Sequence, residues 1–136
     1  MSFAQVFFDE VVSRYQAAGG TVPLYFNQAD RPTRPFCVVL IVGPATETPA
    51  VLCRDTGEGG ELTLQFSLAA DAAITAYSTL VAIKDITQRI KGLIGPVGNR
   101  YRIYGNQTEG VTAQDAQLGG WSCTFDTTVW WDQEAP

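Results

Sequence analysis

The chain has 136 residues, of which 46% are hydrophobic and 17% are charged, so a single folded domain over residues 1–136 is expected and disorder is excluded by composition. The net charge of −5 argues against a nucleic-acid binder that depends on clustered Lys and Arg contacts with phosphates. The chain has no histidine, which removes the commonest general base and histidine-ligated metal sites, and no apolar run approaches the ~20 residues that span a bilayer.

The first predicted element is an amphipathic helix from Ser2 to Ala18. Ser2 can cap its N-terminus, with Gln5 three residues later as in a capping box, and Gly19-Gly20 is a typical stop signal. The adjacent carboxylates Asp9 and Glu10 lie on the polar side of this helix, where solvated charges are favoured over an acid–base pair. Apolar residues recur at three- and four-residue steps and form one stripe: Phe3, Val6, Phe7, Val11 and Tyr15.

Three strands are predicted between residues 21 and 54. Thr21–Phe26 contains Pro23, which has no backbone N–H and therefore favours an edge position. Phe36–Val42 is apolar at every position, a pattern typical of a central strand that is covered on both faces. After a loop over Gly43–Pro49, the segment Ala50–Arg54 is expected to form a shorter strand.

A glycine-rich turn over Asp55–Gly60, with the sequence DTGEGG, is expected to close a hairpin. It lacks the lysine of a phosphate-binding loop, and its carboxylates would repel phosphate. We expect this turn and the loop Gly43–Pro49 to be mobile in the isolated chain and ordered only in an assembly. The following segment, Glu61–Ala70, alternates apolar and polar residues and therefore predicts a strand with one wet face.

A second helix is predicted to begin between Asp71 and Ser78. Gly92, Gly95 and Pro96 are expected to end it. The run GLIGPVG carries three glycines, but phosphate loops follow a strand and open a helix, so a helix stop is favoured here. The apolar face of the helix comprises Leu80, Ile83, Ile86, Ile90 and Leu93.

The C-terminal part is predicted to be rich in strands. Tyr101–Tyr104 forms one strand, and Asn106–Gly120 is polar and irregular apart from a short strand near Val111. Trp121–Trp131 alternates over about eleven residues, which is long for a strand, so one end is expected to project beyond the sheet. Consecutive strands joined by short turns predict an α+β fold with a mainly antiparallel sheet and two helices packed on one face.

The apolar and polar faces of the predicted helices and strands indicate which side chains are buried. Cys37, Cys53 and Cys123 lie in strand-like runs without the paired spacing of a metal site, so we expect buried free thiols. The polar face of the last strand carries Asp126, which we expect to pair across the sheet with Arg100 or Arg102. The residues predicted to share the core are Phe7, Val38, Leu40, Leu64, Phe66, Ile86, Ile90 and Phe125.

Five segments in this order carry a family resemblance: RPFCVVLIV, LTLQFSL, IKGLIG, RIYGNQ and GWSCTFDTTVWW. The pattern resembles the tail terminator (tail completion) proteins of long-tailed bacteriophages over nearly the full chain, although no single motif in it is diagnostic. The resemblance implies an α+β fold that assembles into a hexameric ring, caps the tail tube, stops its polymerisation and forms the tail side of the head–tail joint. It implies no catalytic residue, no metal and no cofactor.

The partners implied by the resemblance are further copies of the chain, the tail tube protein and the head–tail connector protein. DNA would pass through the ring without specific binding, no membrane would be involved, and the protein would be made in the host cytoplasm and reside in the virion. Three alternatives stay open: another neck or tail-completion component of the same fold, a small ligand-binding module or enzyme, and a regulatory protein that binds a partner through a strand edge.

The last strand also suggests an assembly surface. Trp130 and Trp131 are consecutive, so their side chains point to opposite faces, and the alternation assigns Trp131 to the core. Trp130 then lies on the polar face, where a large aromatic is typical of an interface. We therefore expect Trp130 to contact a neighbouring subunit or the tube, unless the 106–120 segment or the chain terminus covers it. The other candidate contacts are Arg100, Arg102, Gly57, Glu58 and Gly59.

Overall fold

Two helices and eight strands make up the part of the chain that the computed structural model describes, which is residues 2–27, 33–42, 46–47, 59–115 and 120–133. The α+β class is therefore confirmed. In chain order the elements are α1 (Phe3–Ala17), β1 (Leu24–Phe26), β2 (Phe36–Ile41), β3 (Thr46–Glu47), β4 (Gly59–Ala70), α2 (Ala73–Gln88), β5 (Gly92–Ile94), β6 (Tyr101–Thr108), β7 (Thr112–Asp115) and β8 (Trp121–Gln133).

The strands form one sheet in the order β1-β2-β4-β8-β6-β5, with β3 paired to β4 and β7 paired to β8. All of these pairs are antiparallel except β1 with β2, so the mainly antiparallel sheet is confirmed, and β1 occupies an edge as Pro23 indicated. The prediction that one end of the long last strand projects beyond the sheet is wrong. Its whole length is paired, with β4 on one side and with β6 and β7 in succession on the other.

Two predictions about residues 43–60 are changed by this pairing. Thr46–Glu47, predicted to lie in a loop, forms β3 against β4. Gly59 and Gly60, predicted to lie in the turn, begin β4 and are buried. The predicted strand Ala50–Arg54 and the first part of the glycine-rich turn lie outside the described residues.

Both helices pack on one face of the sheet. Phe3 of α1 stacks on Trp131 of β8, with ring centroids 4.5 Å apart and planes 11° apart. At the end of α2, the side-chain amide of Asn106 donates a hydrogen bond of 2.9 Å to the carbonyl oxygen of Thr87. The apolar positions of β4 fall on this same face and are almost completely buried: Leu62, Leu64, Phe66 and Leu68.

The predicted core is largely confirmed. The prediction that Val38 and Leu40 of β2 are buried in the core is wrong, because the fully buried side chains of that strand are those of Cys37 and Val39. The pairing of β2 with β4 places Val38 opposite Ser67 and so puts it on the polar face of the sheet. Leu40 lies on that face too and is half-buried, so the side chains of β2 are fully buried on one face rather than on both. The confirmed core residues are Phe7, Leu64, Phe66, Ile90 and Phe125, with Ile86 half-buried and packed against them.

The first helix begins and ends where its signals indicated. The Ser2 hydroxyl accepts a hydrogen bond of 3.3 Å from the Gln5 backbone N–H. The Gln5 side chain donates to Asp9 instead of returning to the cap, so only half of the capping box forms. Glu10 pairs with Arg14 at 2.8 Å along the helix surface, and Asp9 is exposed, so both carboxylates lie on the polar side of the helix as predicted.

The second helix is shorter than its glycines predicted. It ends at Gln88, and Gly92–Ile94, expected to end the helix, instead forms edge strand β5 against β6. Leu93, assigned to the helix face, therefore lies on a strand and is half-exposed. Gly95 stands in the turn after β5 with φ of 99°, and a Cβ there would lie only 2.6 Å from the Asn99 carbonyl oxygen, so this turn requires glycine.

The polar start of the 106–120 segment is strand rather than irregular chain. The Asn106 side-chain oxygen accepts hydrogen bonds from the hydroxyls of Thr108 and Thr127, at 2.7 and 2.6 Å. Because the Asn106 amide also binds the end of α2, these polar side chains satisfy one another between helix and sheet. The short strand predicted near Val111 is β7, which begins one residue later.

Two of the three cysteines lie in described strands. Cys37 and Cys123 are buried free thiols, as predicted, and Cys53 lies outside the described residues. Burial raises the pKa of the Cys37 thiol to about 12, against a smaller opposing effect of a backbone hydrogen bond at Ser67. Burial also raises the pKa of Cys123. Both thiols are therefore protonated at neutral pH and poor nucleophiles.

The stacked rings of Phe66 and Phe125 test the assignment of the core face. Their centroids lie 4.6 Å apart with planes 7° apart, in the centre of the β4–β8 pairing. We expect Phe66→Ala or Phe125→Ala to lower the free energy of unfolding by about 3–5 kcal/mol, because each leaves a cavity in a packed core. Denaturant titration gives the value, with Ser67→Ala on the other face as control. A loss below about 1 kcal/mol would show that the faces are assigned wrongly.

The buried thiols give a second prediction. In a Cys53→Ser variant, a thiol reagent at neutral pH should leave the native protein unlabelled and should label both remaining cysteines after unfolding without reductant. The parent chain should show three free groups when unfolded and should carry no stoichiometric zinc. Rapid labelling of the folded variant, or fewer free thiols than cysteines after unfolding, would contradict the buried and reduced state.

Candidate assembly surface

The face of the sheet opposite the helices, here called the open face, is polar along its two central strands. The alternation of β4 and β8 places half-buried hydroxyl, amide and carboxylate side chains there, so the predicted wet face is confirmed. No helix of the described residues packs on it. Its cross-strand pairs include Glu61 with Trp130, Thr63 with Thr128, Gln65 with Asp126 and Ser67 with Thr124.

The two consecutive tryptophans lie on opposite faces, as predicted. Trp131 belongs to the helix face, where it stacks on Phe3 and meets Tyr101 edge-on at 5.5 Å. Trp130 is half-buried on the open face, opposite Gly105 of β6. A Cβ placed on Gly105 would lie 3.5 Å from Trp130 Cε3, an ordinary contact distance, so the indole lies over the Gly105 backbone and a small side chain would fit there.

A register shift in β6 creates a polar cluster beside Trp130. Ile103 pairs with Trp131 and Gly105 with Trp130, which leaves Tyr104 as an extra residue in a β-bulge. The Tyr104 hydroxyl donates a short hydrogen bond to the Asp132 carboxylate. Arg102, directly opposite Asp132 in the register, also interacts with that hydroxyl.

Asp132 is the buried charge of this cluster. It is only 6% exposed, and its Oδ1 atom has no hydrogen-bond partner among the described residues. The hydrogen bond from Tyr104 to this carboxylate raises the pKa of Tyr104 above its ordinary value, because ionised tyrosine would lose the bond and repel the carboxylate. The guanidinium of Arg102 opposes the shift by favouring tyrosinate.

The structure brings two of the predicted interface residues together. Trp130 and Arg102 both lie on the open face at the same end of β8. Arg100 is half-buried just before β6. Gly59 is not in a turn but is buried in β4 opposite Asp132. The other two candidates, Gly57 and Glu58, lie outside the described residues.

The predicted cross-strand pair of Asp126 with an arginine is wrong. Asp126 lies opposite Gln65 in β4, and the residue opposite Arg102 is Asp132, six positions further along β8. The pairing register of β6 decides this, and its bulge could not be placed from the spacing of charges alone.

Two exposed residues that were not predicted to lie at an interface complete the surface. Tyr104 is 49% exposed on the open face, and Leu93, opposite Arg102 in the β5–β6 register, is 43% exposed. Glycine inside a strand, as in the Tyr104-Gly105 pair, is a signal for a bulge and could have indicated this site. We call this set the end patch: Leu93, Arg102, Tyr104 and Trp130.

A shallow hollow lies further along the open face. Its volume is about 230 Å³, and the backbone N–H of Glu109 donates a 2.9 Å hydrogen bond to the Asp126 carbonyl oxygen within it. The hydroxyls of Thr63 and Thr128 lie 2.9 Å apart across β4 and β8. We call it the acidic hollow, and its lining residues are Thr63, Gln107, Glu109, Asp126 and Thr128.

The described residues contain no group of three or more His, Cys, Asp or Glu side chains that could hold a metal ion. Neither described helix has the length and apolar character needed to cross a membrane.

Comparison with solved structures finds the same fold elsewhere. A chain from the virion of a native gene transfer agent particle superposes with a TM-score of 0.61 and 18% identity over 98% of this chain and 100% of that chain. A second solved chain, whose name describes no function, superposes with a TM-score of 0.53 and 10% identity over 98% of this chain and 94% of that chain. No family model and no curated protein sequence matches. The fold is therefore shared with a chain of a virion.

The hydrogen bond between Tyr104 and Asp132 leads to a prediction about the pKa of Tyr104. Because the folded-state pKa of Tyr104 is raised, the hydrogen bond stabilises the fold fully below the ordinary tyrosine pKa, and this stabilisation is lost as pH rises through the raised value. We expect Asp132→Asn to lower the pKa of Tyr104, measured by the ultraviolet absorbance of tyrosinate. Tyr104→Phe identifies its signal among the five tyrosines. An unchanged titration in Asp132→Asn would contradict the assigned cause.

Proposed function

We propose that this protein is a structural component of a phage-like virion, and specifically a tail terminator that caps the end of the tail tube. The observation that supports this most is the superposition on a chain of a gene transfer agent virion over 98% of this chain and the whole of that chain. The order of sequence segments from RPFCVVLIV to GWSCTFDTTVWW supports the finer role, because it resembles that family. The role is structural rather than enzymatic.

The terminator acts as a ring, a hexamer by its family resemblance. A closed ring requires head-to-tail contacts between two different surfaces of each subunit. The end patch supplies one such surface, because it combines a half-buried tryptophan, a half-exposed tyrosine and an arginine, residue types enriched where binding energy concentrates. Through it the chain contacts a neighbouring subunit or the tail tube protein.

The remaining partners follow from the same role. One side of the ring meets the tube and stops its growth, and the other meets the head–tail connector protein. DNA passes through without specific binding, because a chain of net charge −5 offers few cations to hold phosphates. The protein accordingly resides in the neck or tail of the particle after synthesis in the host cytoplasm.

A ligand-binding module has less support. The hollow between Tyr15 of α1 and Ile86 of α2 has a volume of about 260 Å³ and is lined mostly by small residues. That volume lies below the range of about 300–1,000 Å³ typical of small-molecule sites. Another neck or tail-completion component of the same fold is the main alternative, because the superposition on a virion chain supports that role too.

Electron microscopy of mixtures tests the proposal directly. Purified protein is added to tail tubes that lack their cap, and the tubes are imaged for extra density at one end and for arrested growth when tube protein is added. Density at one end with arrested growth is the expected result. Binding along the tube, or to the connector alone, would assign the chain to a different place in the particle.

The two tryptophans of β8 provide a matched pair of variants. We expect Trp130→Ala to retain most of the stability of the fold but to lose tube capping, because its side chain lies on the open face. We expect Trp131→Ala to destabilise the fold by about 3–5 kcal/mol, because it removes the ring stacked on Phe3. Denaturant titration and the capping assay separate the two effects. Normal capping by Trp130→Ala, or its unfolding, would remove Trp130 from the assembly surface.

A further inference from the structure

We propose that the acidic hollow on the open face binds a basic ridge that follows the end of α2 and the β5 edge of a second copy of this chain. The ridge is formed by Lys84, Arg89, Lys91 and Arg100. The inference rests on the ring of the proposed function and names the two surfaces that meet in it. It assigns a heterologous contact, in which the ridge of each subunit lies on the open face of the next.

The basic ridge follows the end of α2 and the edge strand β5. Lys84 lies in the last turns of α2 and Arg89 is its C-cap, while Lys91 directly precedes β5. Arg100 directly precedes Tyr101, which pairs with Ile94 of β5. These four residues are among the nine Lys and Arg of the chain.

The four basic side chains of the ridge form no ion pair with another described residue. The ion pairs among the described residues join Arg14 to Glu10 and Arg34 to Asp71, and none of them involves the ridge. Arg89 and Lys91 are exposed, and the one carboxylate interspersed among the four cations is Asp85. Positive charge therefore dominates this edge of a chain whose net charge is −5.

The ridge also has an apolar margin. Leu93 on β5 is half-exposed, and Val97 in the turn between β5 and β6 is 87% exposed. An edge strand with exposed apolar side chains and unpaired cations has the composition of a contact surface rather than of a fully solvated edge.

The acidic hollow has the opposite charge and suits such side chains. Glu109 is exposed and Asp126 half-buried, and neither forms an ion pair with another described residue. The amide of Gln107 and the two threonine hydroxyls supply further oxygen acceptors around them. A hollow of about 230 Å³ with two carboxylates can receive the end of one long basic side chain.

Within one chain, the sheet lies between the α2 part of the ridge and the acidic hollow. Lys84 and Arg89 belong to α2 and its C-cap, on the helix face, while the acidic hollow lies on the open face of the same sheet. A second copy of the chain can bring these opposite charges together. Repetition of that contact from copy to copy leads to a ring or a filament rather than to a closed dimer.

The contact is tested by reversing the charge of either surface and measuring self-association by sedimentation velocity. The ridge variant is Arg89→Glu with Lys91→Glu, and the hollow variant is Glu109→Lys with Asp126→Lys. Each alone should weaken self-association by about 100-fold, because like charges then face each other. An equimolar mixture should restore assembly, since each reversed surface meets a partner of opposite charge. Raised salt should weaken the parent and the mixture.

A matched control reverses two exposed carboxylates elsewhere. Asp9→Lys with Asp71→Lys changes the net charge as much as the hollow variant does but should leave self-association unaltered. Equal weakening by this control, or a mixture that fails to assemble, would overturn the contact. So would a parent chain that stays monomeric up to about 1 mM both alone and with tail tubes.

Tube capping by the variants and binding of duplex DNA distinguish this contact from the proposed capping role and from a site for polyanions. If the single-surface variants cap tubes as well as the parent, the contact is wrong while the capping role stands. If the mixture restores assembly but the parent does not cap tubes, the contact stands and the capping role fails. If duplex DNA binds the parent but not the ridge variant, and the hollow variant self-associates as strongly as the parent, the ridge is a polyanion surface and the proposal is overturned.

Discussion

The antiparallel pairing of β4 with β8 is the constraint on which the rest of the structure depends. Twelve consecutive residue pairs, from Gly59 with Asp132 to Ala70 with Trp121, hold these strands without a register shift. The stacked rings of Phe66 and Phe125 lie at its centre. Because side chains alternate between faces, this one register assigns all the residues of both strands to the helix side or the open side. The helices, β2 and β6 then pack against surfaces that this pairing has already defined.

One departure from regular pairing shapes the open face. The bulge at Tyr104 resets the register of β6, so that Arg102, Tyr104 and Asp132 converge at the end of β8 where Trp130 also lies. The open face thus combines a polar surface with no described helix on it, an aromatic cluster at one end and a hollow with two carboxylates further along. The fold that carries this face is shared with a chain of a virion.

Much of the fold was determined by local sequence signals. The amphipathic stripe and Ser2 cap of α1, the alternation along β4 and β8, and the opposite faces of Trp130 and Trp131 follow from the periods of helix and strand. The edge position of β1 follows from Pro23. These features depend on residues close together in sequence, so short-range steric and hydrophobic patterns suffice to predict them.

Only the tertiary structure decided which strands pair, and in which register. Phe36–Ile41 is apolar throughout, so its pattern could not distinguish buried Cys37 and Val39 from half-buried Val38 and Leu40; the register against β4 did so. The strand Gly92–Ile94 exists because β6 offers it backbone hydrogen bonds, despite flanking glycines that locally signal a helix stop. Asp132, not Asp126, faces Arg102 for the same reason. Strand pairing joins residues far apart in the chain, and that physical dependence on distant partners is what no local pattern encodes.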